Sequence, residues 1–158
     1  LTNRLENTKI NFNTGNYLAD AIISDKAKRA ESDGNKIEFY GYFPCAGIKN
    51  SDVCTILSNL LDNAIEACAP YPPCTIKVTS EIKRGGTVIT VSNPVKNRVE
   101  IKYNTIKTSK ADGSNHGYGI GNVRSVAKKY AGELRLTCED GVFTAEVLLL
   151  MENEGKKE

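Results

Sequence analysis

The chain has 158 residues, 40% hydrophobic and 25% charged, with a formal net charge of +2. That length supplies one domain with a single sizeable core. The near-neutral charge argues against a large nucleic-acid footprint, and no nucleic-acid partner is expected. No apolar run reaches membrane-spanning length, and no basic start leads into an apolar stretch as in a signal peptide. The five cysteines (Cys45, Cys54, Cys68, Cys74 and Cys138) are odd in number and form no C-x-x-C pair. With one histidine in the chain, His116, a zinc site is not indicated, and reduced thiols of a cytosolic protein are expected. The chain starts at Leu1 rather than Met, which suggests a piece of a longer protein.

In chain order, residues 1–13 are polar and asparagine-rich and read as a helix end or linker. Tyr17 to Ser32 suits an amphipathic helix, broken by "DGN" at Asp33 to Asn35. "KIEFYGYF", from Lys36 to Phe43, alternates as a strand. A second helix begins near Ser51, a candidate N-cap, and ends at "PYPP". "TIKVTSEIKRGGTVITVSN" reads as a hairpin turning at Gly85-Gly86. Pro94 to Gly117 lacks periodicity and reads as a long lid or binding loop. A third helix is expected from about Gly119 to Tyr130, then a second hairpin around Asp140-Gly141. Residues 152–158 read as a charged, frayed tail after a domain covering 14–151. Two hairpins with segregated helices predict an α+β fold. It is a two-layer sandwich whose mixed, mostly antiparallel sheet carries helices on one face.

Two segments carry the chemistry. In "SDVCTILSNLLDNAIEAC", Ser51 to Cys68, the residues Val53, Ile56, Leu57, Leu60, Leu61, Ala64, Ile65 and Cys68 form one apolar face. Asn59, Asp62, Asn63 and Glu66 fall in the remaining arc. A solvated face explains polar residues there in general. Asparagine is nevertheless a poor helix-interior residue, since its amide competes for backbone groups, and Asn59 and Asn63 at i and i+4 point the same way. A carboxamide oxygen suits Mg²⁺ that already carries phosphate oxygens. The second segment is "NHGYGIGNV", Asn115 to Val123. Its Gly117-x-Gly119-x-Gly121 lacks the G-x-G-x-x-G spacing of a dinucleotide fingerprint and follows a polar loop rather than a strand.

"ILSNLLDNAIEAC" resembles the asparagine box of the GHKL superfamily of gyrase, heat-shock chaperone, histidine kinase and mismatch-repair ATPases. "TSK" at Thr108 to Lys110 followed by "HGYGIGNV" resembles that superfamily's last glycine box. Together with "LADAIISDKAKRA", these stretches look most like the peptide-sensing histidine kinases of Agr and Vir type, from about Tyr17 to Leu150. The resemblance implies the Bergerat ATP-binding fold, with ATP and Mg²⁺ as cofactors. Asn63 would ligate Mg²⁺, Asn59 would lie near the phosphates, and Gly117, Gly119 and Gly121 would line the triphosphate. Lys110 would add a charge contact; a mobile surface lysine is its other reading.

Two departures stand out. Asn93, in "VSNPVKN", occupies the place of the adenine-accepting Asp in the family's D-x-G-x-G box, whose glycines are missing. Asn93-Pro94 also reads as a simple turn. Asn59 stands where hydrolysing members carry a Glu base, which suits transfer to a protein residue over transfer to water. His116 has three readings: a lid residue at the phosphates, an inert surface residue, or a phosphoacceptor. The resemblance places the acceptor histidine on an upstream dimerisation domain. It also implies a response regulator as partner, a homodimeric parent, and a cytoplasmic location beneath a membrane-anchored receptor. An anti-sigma-type serine/threonine kinase and a degenerate docking module share the fold and remain alternatives.

Overall fold

The computed structural model describes residues 11–44, 46–83, 85–102, 105–106 and 118–150. Helix α1 (Tyr17–Ser32) is followed by strand β1 (Lys36–Gly41), helix α2 (Asn50–Cys68) and the hairpin β2 (Thr75–Lys83) and β3 (Gly86–Pro94). Two short strands, β4 (Ile101–Lys102) and β5 (Thr105–Ile106), pair with each other. Helix α3 (Tyr118–Lys129) and the hairpin β6 (Glu133–Glu139) and β7 (Val142–Leu150) complete the order.

The main sheet runs β1-β2-β3-β7-β6. β1 and β2 are parallel, and every other neighbour is antiparallel. A parallel pair needs a crossover, and α2 is that crossover. Alternation fixes which side of the sheet is covered. One row of paired residues runs Phe39, Val78, Val91, Ala145, Leu136 across all five strands. The next carries Ser80, Ile89, Val147 and Leu134. This face packs on the helices through Ala19, Ile23 and Ala27 of α1, Val53, Leu57 and Leu61 of α2, and Val123 and Ala127 of α3. The opposite face carries Lys77, Glu81, Thr90, Ser92, Thr144 and Glu146, exposed or half-buried. The structure is thus the expected two-layer α+β sandwich with its mixed, mostly antiparallel sheet.

Local differences from the sequence reading have physical reasons. α2 starts at Asn50, and its N-cap is Lys49, with no side-chain cap bond. Ser51 therefore sits inside the first turn, where its carbonyl accepts from the Thr55 hydroxyl at 3.0 Å. The side-chain cap falls on α1 instead, where Asn16 Oδ1 accepts from the Leu18 and Ala19 amides at 3.0 Å each. β1 stops two residues short of Phe43 because Gly41 takes φ 103° and packs on the Ser80 carbonyl. The expected loop after Pro94 contains the β4–β5 ladder. The second hairpin turns at Asp140 (φ 52°) and Gly141 (φ 74°), two consecutive positive φ values as in a type I′ turn.

Candidate functional site

At about 100° per residue, Asp52, Asn59, Asn63 and Glu66 fall on one narrow stripe of α2, along the edge of its buried face. Asn59 is half-buried and its Nδ2 donates to the Thr55 carbonyl one turn back at 2.7 Å. That bond fixes the amide and leaves Oδ1 facing away from its own helix. Asn63 is half-buried too, and its carboxamide bonds to no described residue.

α3 lies antiparallel along this stripe. At its start, a Cβ placed on Gly119 would stand 3.0 Å from Asn59 Oδ1. At its end, Lys129 meets Asp52. The N-terminal end of α3 therefore points along α2 toward Asn63. Its first turn holds no acidic residue, so its free amides and positive dipole end stand unopposed from within the helix. Glycine at 119 is explained by this close approach, since a methyl group there would push Asn59 or the helix aside. A Cβ on Gly121 would meet nothing within 4 Å, so packing gives no reason for glycine there.

Asn93 sits near the end of β3, 3% exposed, paired across the ladder with Phe143. Its Nδ2 donates to the Pro94 carbonyl at 3.1 Å, and its Oδ1 accepts from no described residue. Beyond it lies an open depression of about 570 Å³ lined by Val95, Lys96, Arg98 and residues 138–141. No residue of α2 or α3 lines that depression. Lys110, His116 and Gly117 lie outside the described residues. Of the sequence candidates, the structure thus brings Asn59 and Gly119 close together and leaves Asn63 one turn further along the same stripe.

Two carboxylates of α2 are tied down. Asp62 pairs with Lys26 at 2.7 Å and Arg29 at 3.3 Å, both on α1, so it serves the α1–α2 packing. Asp52, 5% exposed, accepts from Lys129 Nζ at 2.9 and 3.2 Å and from the Tyr130 hydroxyl at 2.6 Å. The Tyr130 oxygen accepts in turn from the Lys49 amide at 2.9 Å, just before α2. Burial alone would raise the Asp52 carboxyl, but the Tyr130 and Lys129 hydrogen bonds outweigh it and hold it below the usual carboxylate range. Lys129 is raised by its bond to Asp52, and Tyr130 by burial and then by Asp52. Sequence reading did not find this cluster. Its one local signal is Asp52 itself, two turns before Asn59 and about 20° from it around the helix.

The described residues hold no group of three or more His, Cys, Asp or Glu able to bind a metal ion. A protein-only metal cage is therefore not formed by them. What they do offer on this stripe is the carboxamide oxygen of Asn63, which has no described partner. That suits a hard cation that brings most of its oxygen ligands with it, as Mg²⁺ does with phosphates and water.

The GHKL domain family model matches residues 48–150, and the chain belongs to that family of ATP-binding domains. No curated protein matches it. Among solved structures, it resembles the catalytic domain of histidine kinase ThkA, with a TM-score of 0.65 at 18% identity. That likeness covers 85% of this chain and 92% of that one. Histidine kinase AdeS of Acinetobacter baumannii gives 0.61 at 13% identity, covering 86% of this chain and 64% of that one. The blue-light activated histidine kinase EL346 of Erythrobacter litoralis gives 0.58 at 15% identity, covering 85% and 61%. The chain therefore spans less than two thirds of the AdeS and EL346 chains. At these identities the likeness is one of fold.

Proposed function

We propose that this chain is the ATP-binding catalytic domain of a two-component sensor histidine kinase of Agr or Vir type. In this reading it passes the γ-phosphoryl group of Mg-ATP to a histidine on an upstream dimerisation domain, and a response regulator receives it next. Residues 1–13 form the trailing end of the upstream dimerisation helix or a linker, 14–151 the catalytic domain and 152–158 a charged tail. The parent is a homodimer, with this part on the cytoplasmic side of a membrane-anchored receptor. Among the described residues, no helix is long and apolar enough to cross a membrane.

The observation that carries the reading is the close approach of Gly119 to Asn59, which sets the last glycine box beside the asparagine box. Phosphoryl transfer asks chiefly for positioning and charge neutralisation. The N-terminal amides of α3 take the phosphate oxygens, with Gly119 and Gly121 leaving room for close approach. Asn63, whose carboxamide has no described partner, is the residue we assign to Mg²⁺, and Mg²⁺ supplies the neutralisation of the phosphate charge. Asn59 positions the phosphates from the side of α2. Lys110, His116 and Gly117 are assigned to the lid, with Lys110 as a charge contact and His116 as a phosphate neighbour. Asn93 keeps its Oδ1 for the adenine amine, since its Nδ2 is already spent on Pro94. The position of a water-activating base is held by Asn59, and Asp62 is committed to Lys26 and Arg29. Hydrolysis is accordingly slow beside transfer.

Calorimetry of the chain with ATP, with and without Mg²⁺, tests the binding step. Incubation with radiolabelled ATP and a separately produced histidine-bearing dimerisation domain tests transfer. Binding that depends on Mg²⁺, no self-labelling, and label on the added domain are the expected results. Absence of binding at millimolar ATP would sink the proposal. Retained affinity and transfer in Asn63→Asp would remove Asn63 from the metal.

A further inference from the structure

The C-terminal end of α3 is anchored by polar groups, and that end is remote from the proposed phosphates. Lys129 and Tyr130 both grip Asp52, and Tyr130 reaches back to the Lys49 amide. The chain then leaves the helix tightly. Ala131 takes φ 54°, the Gly132 amide donates to the Ala127 carbonyl at 2.8 Å, and the Leu150 amide donates to the Tyr130 carbonyl at 3.0 Å. A Cβ on Gly132 would run into the Leu148 carbonyl, so the exit is packed against β7. A helix of 12 residues held so firmly at its C-terminal end transmits that placement along its length. The same stripe of α2 carries Asp52, Asn59 and Asn63. The distance from the clamp to Asn59 is therefore fixed by two rigid helices lying side by side.

We infer that Asp52, Lys129 and Tyr130 are positioning residues that set the depth of α3 against α2, and through it the Gly119–Asn59 approach on which phosphate binding depends. This deepens the nucleotide reading of Asn59 and Gly119 and rests on it. The clamp touches neither nucleotide nor metal. It acts by holding the N-terminal end of α3 close to Asn59 before ligand arrives, so that binding does not have to order the helix. The cluster is well made for the task. Asp52 is buried and receives three hydrogen bonds, so loss of any one donor leaves a buried charge short of partners. A staple that only added stability would not need to lie on the stripe that bears the asparagines.

Asp52→Asn and Tyr130→Phe test the inference in the 158-residue chain, with Val53→Ala as a control that thins the core on another face of α2. Hydrogen exchange of the amides at 119–123 is followed without nucleotide, and Mg-ATP affinity is measured on the folded protein. In both clamp variants exchange at 119–123 accelerates and affinity falls roughly 2- to 30-fold, the range seen for residues that act on a site through a packed element. The double variant loses less than the sum of the two, because both remove one device. Val53→Ala lowers the melting temperature without moving either readout. Clamp variants that melt earlier but exchange and bind as the parent does would reduce the cluster to a staple and overturn the inference. If Asp52→Asn does not fold, Tyr130→Phe, which loses a single hydroxyl, carries both readouts. If the unaltered chain binds no ATP, the nucleotide reading fails by that result, while the exchange at 119–123 still decides whether the clamp positions α3.

Discussion

The polar stripe of α2 has two ends of opposite character. At the Asp52 end the carboxylate is buried and receives three hydrogen bonds from Lys129 and Tyr130. At the Asn63 end a carboxamide is left without a described partner, one turn beyond the point where the α3 start, with its glycines and no acid, approaches Asn59. A buried polar group normally finds its partner within the protein. The satisfied end therefore belongs to the architecture, while the half-buried carboxamide at the other end stays available to a partner from outside. One helix thus serves as anchor and as binding surface, about three turns apart.

Substitutions at the two ends should separate cleanly, and the largest effect is expected at the open end. Asn63→Ala weakens Mg-ATP binding about 10- to 100-fold, the cost of one lost polar contact to a charged group, and leaves thermal stability nearly unchanged. Calorimetry beside a melting curve reads both numbers, and a large loss of stability would mean that Asn63 belongs to the anchor after all.

The Asp52 end predicts the reverse. Asp52→Ala costs about 2 kcal/mol in denaturant unfolding, as expected when donors lose a buried charged acceptor. The effect has a pH signature. A carboxyl held below its unfolded value contributes stability that is fully present above about pH 4, the unfolded range. That contribution is lost as pH falls through the lower folded value. The gap between parent and Asp52→Asn melting temperatures should therefore be constant near neutrality and close below about pH 4. A gap that widened in acid would give Asp52 the wrong sign.

The smallest effect sharpens the comparison most. Gly121 lies within α3 with open space where a Cβ would stand. Gly121→Ala should raise stability by about 0.5–1 kcal/mol, since alanine is the better helix former. If Gly121 serves phosphate approach, the same change lowers Mg-ATP affinity while raising the melting temperature. Gly119→Ala should lower affinity without that gain, because its methyl group meets Asn59 Oδ1. Equal behaviour of the two variants would erase the distinction between glycine for packing and glycine for ligand.

Much of this was readable in the residues. The apolar positions of α2 repeat at helical steps, and all of them are buried in the structure. The limits of α1, the two hairpins and the sheet type followed from periodicity and turn residues. The meeting of Asn59 and Gly119 was implied by the family resemblance and not by spacing. What stayed hidden was non-local. Asp52 and Lys129 are separated by 77 residues, and nothing in either segment marks the other. Ser51 has the chemistry of an N-cap but stands two residues after Lys49, inside a helix already begun. Asp62 looked like a spare acid beside Asn63 until α1 supplied Lys26 and Arg29.

The parallel pairing of β1 with β2 also governs how the domain assembles. Both hairpins join neighbours in sequence and close quickly. The β1–β2 pair is locked by Asn35, which donates to the Cys68 carbonyl at 3.1 Å and accepts from the Cys74 amide at 2.7 Å across 39 residues. That closure draws in α2 as its crossover and carries a larger loop-entropy cost than either hairpin. The asparagine helix therefore reaches its place through a slower closure than either hairpin, and errors in that closure fall on the surface that carries Asn59 and Asn63.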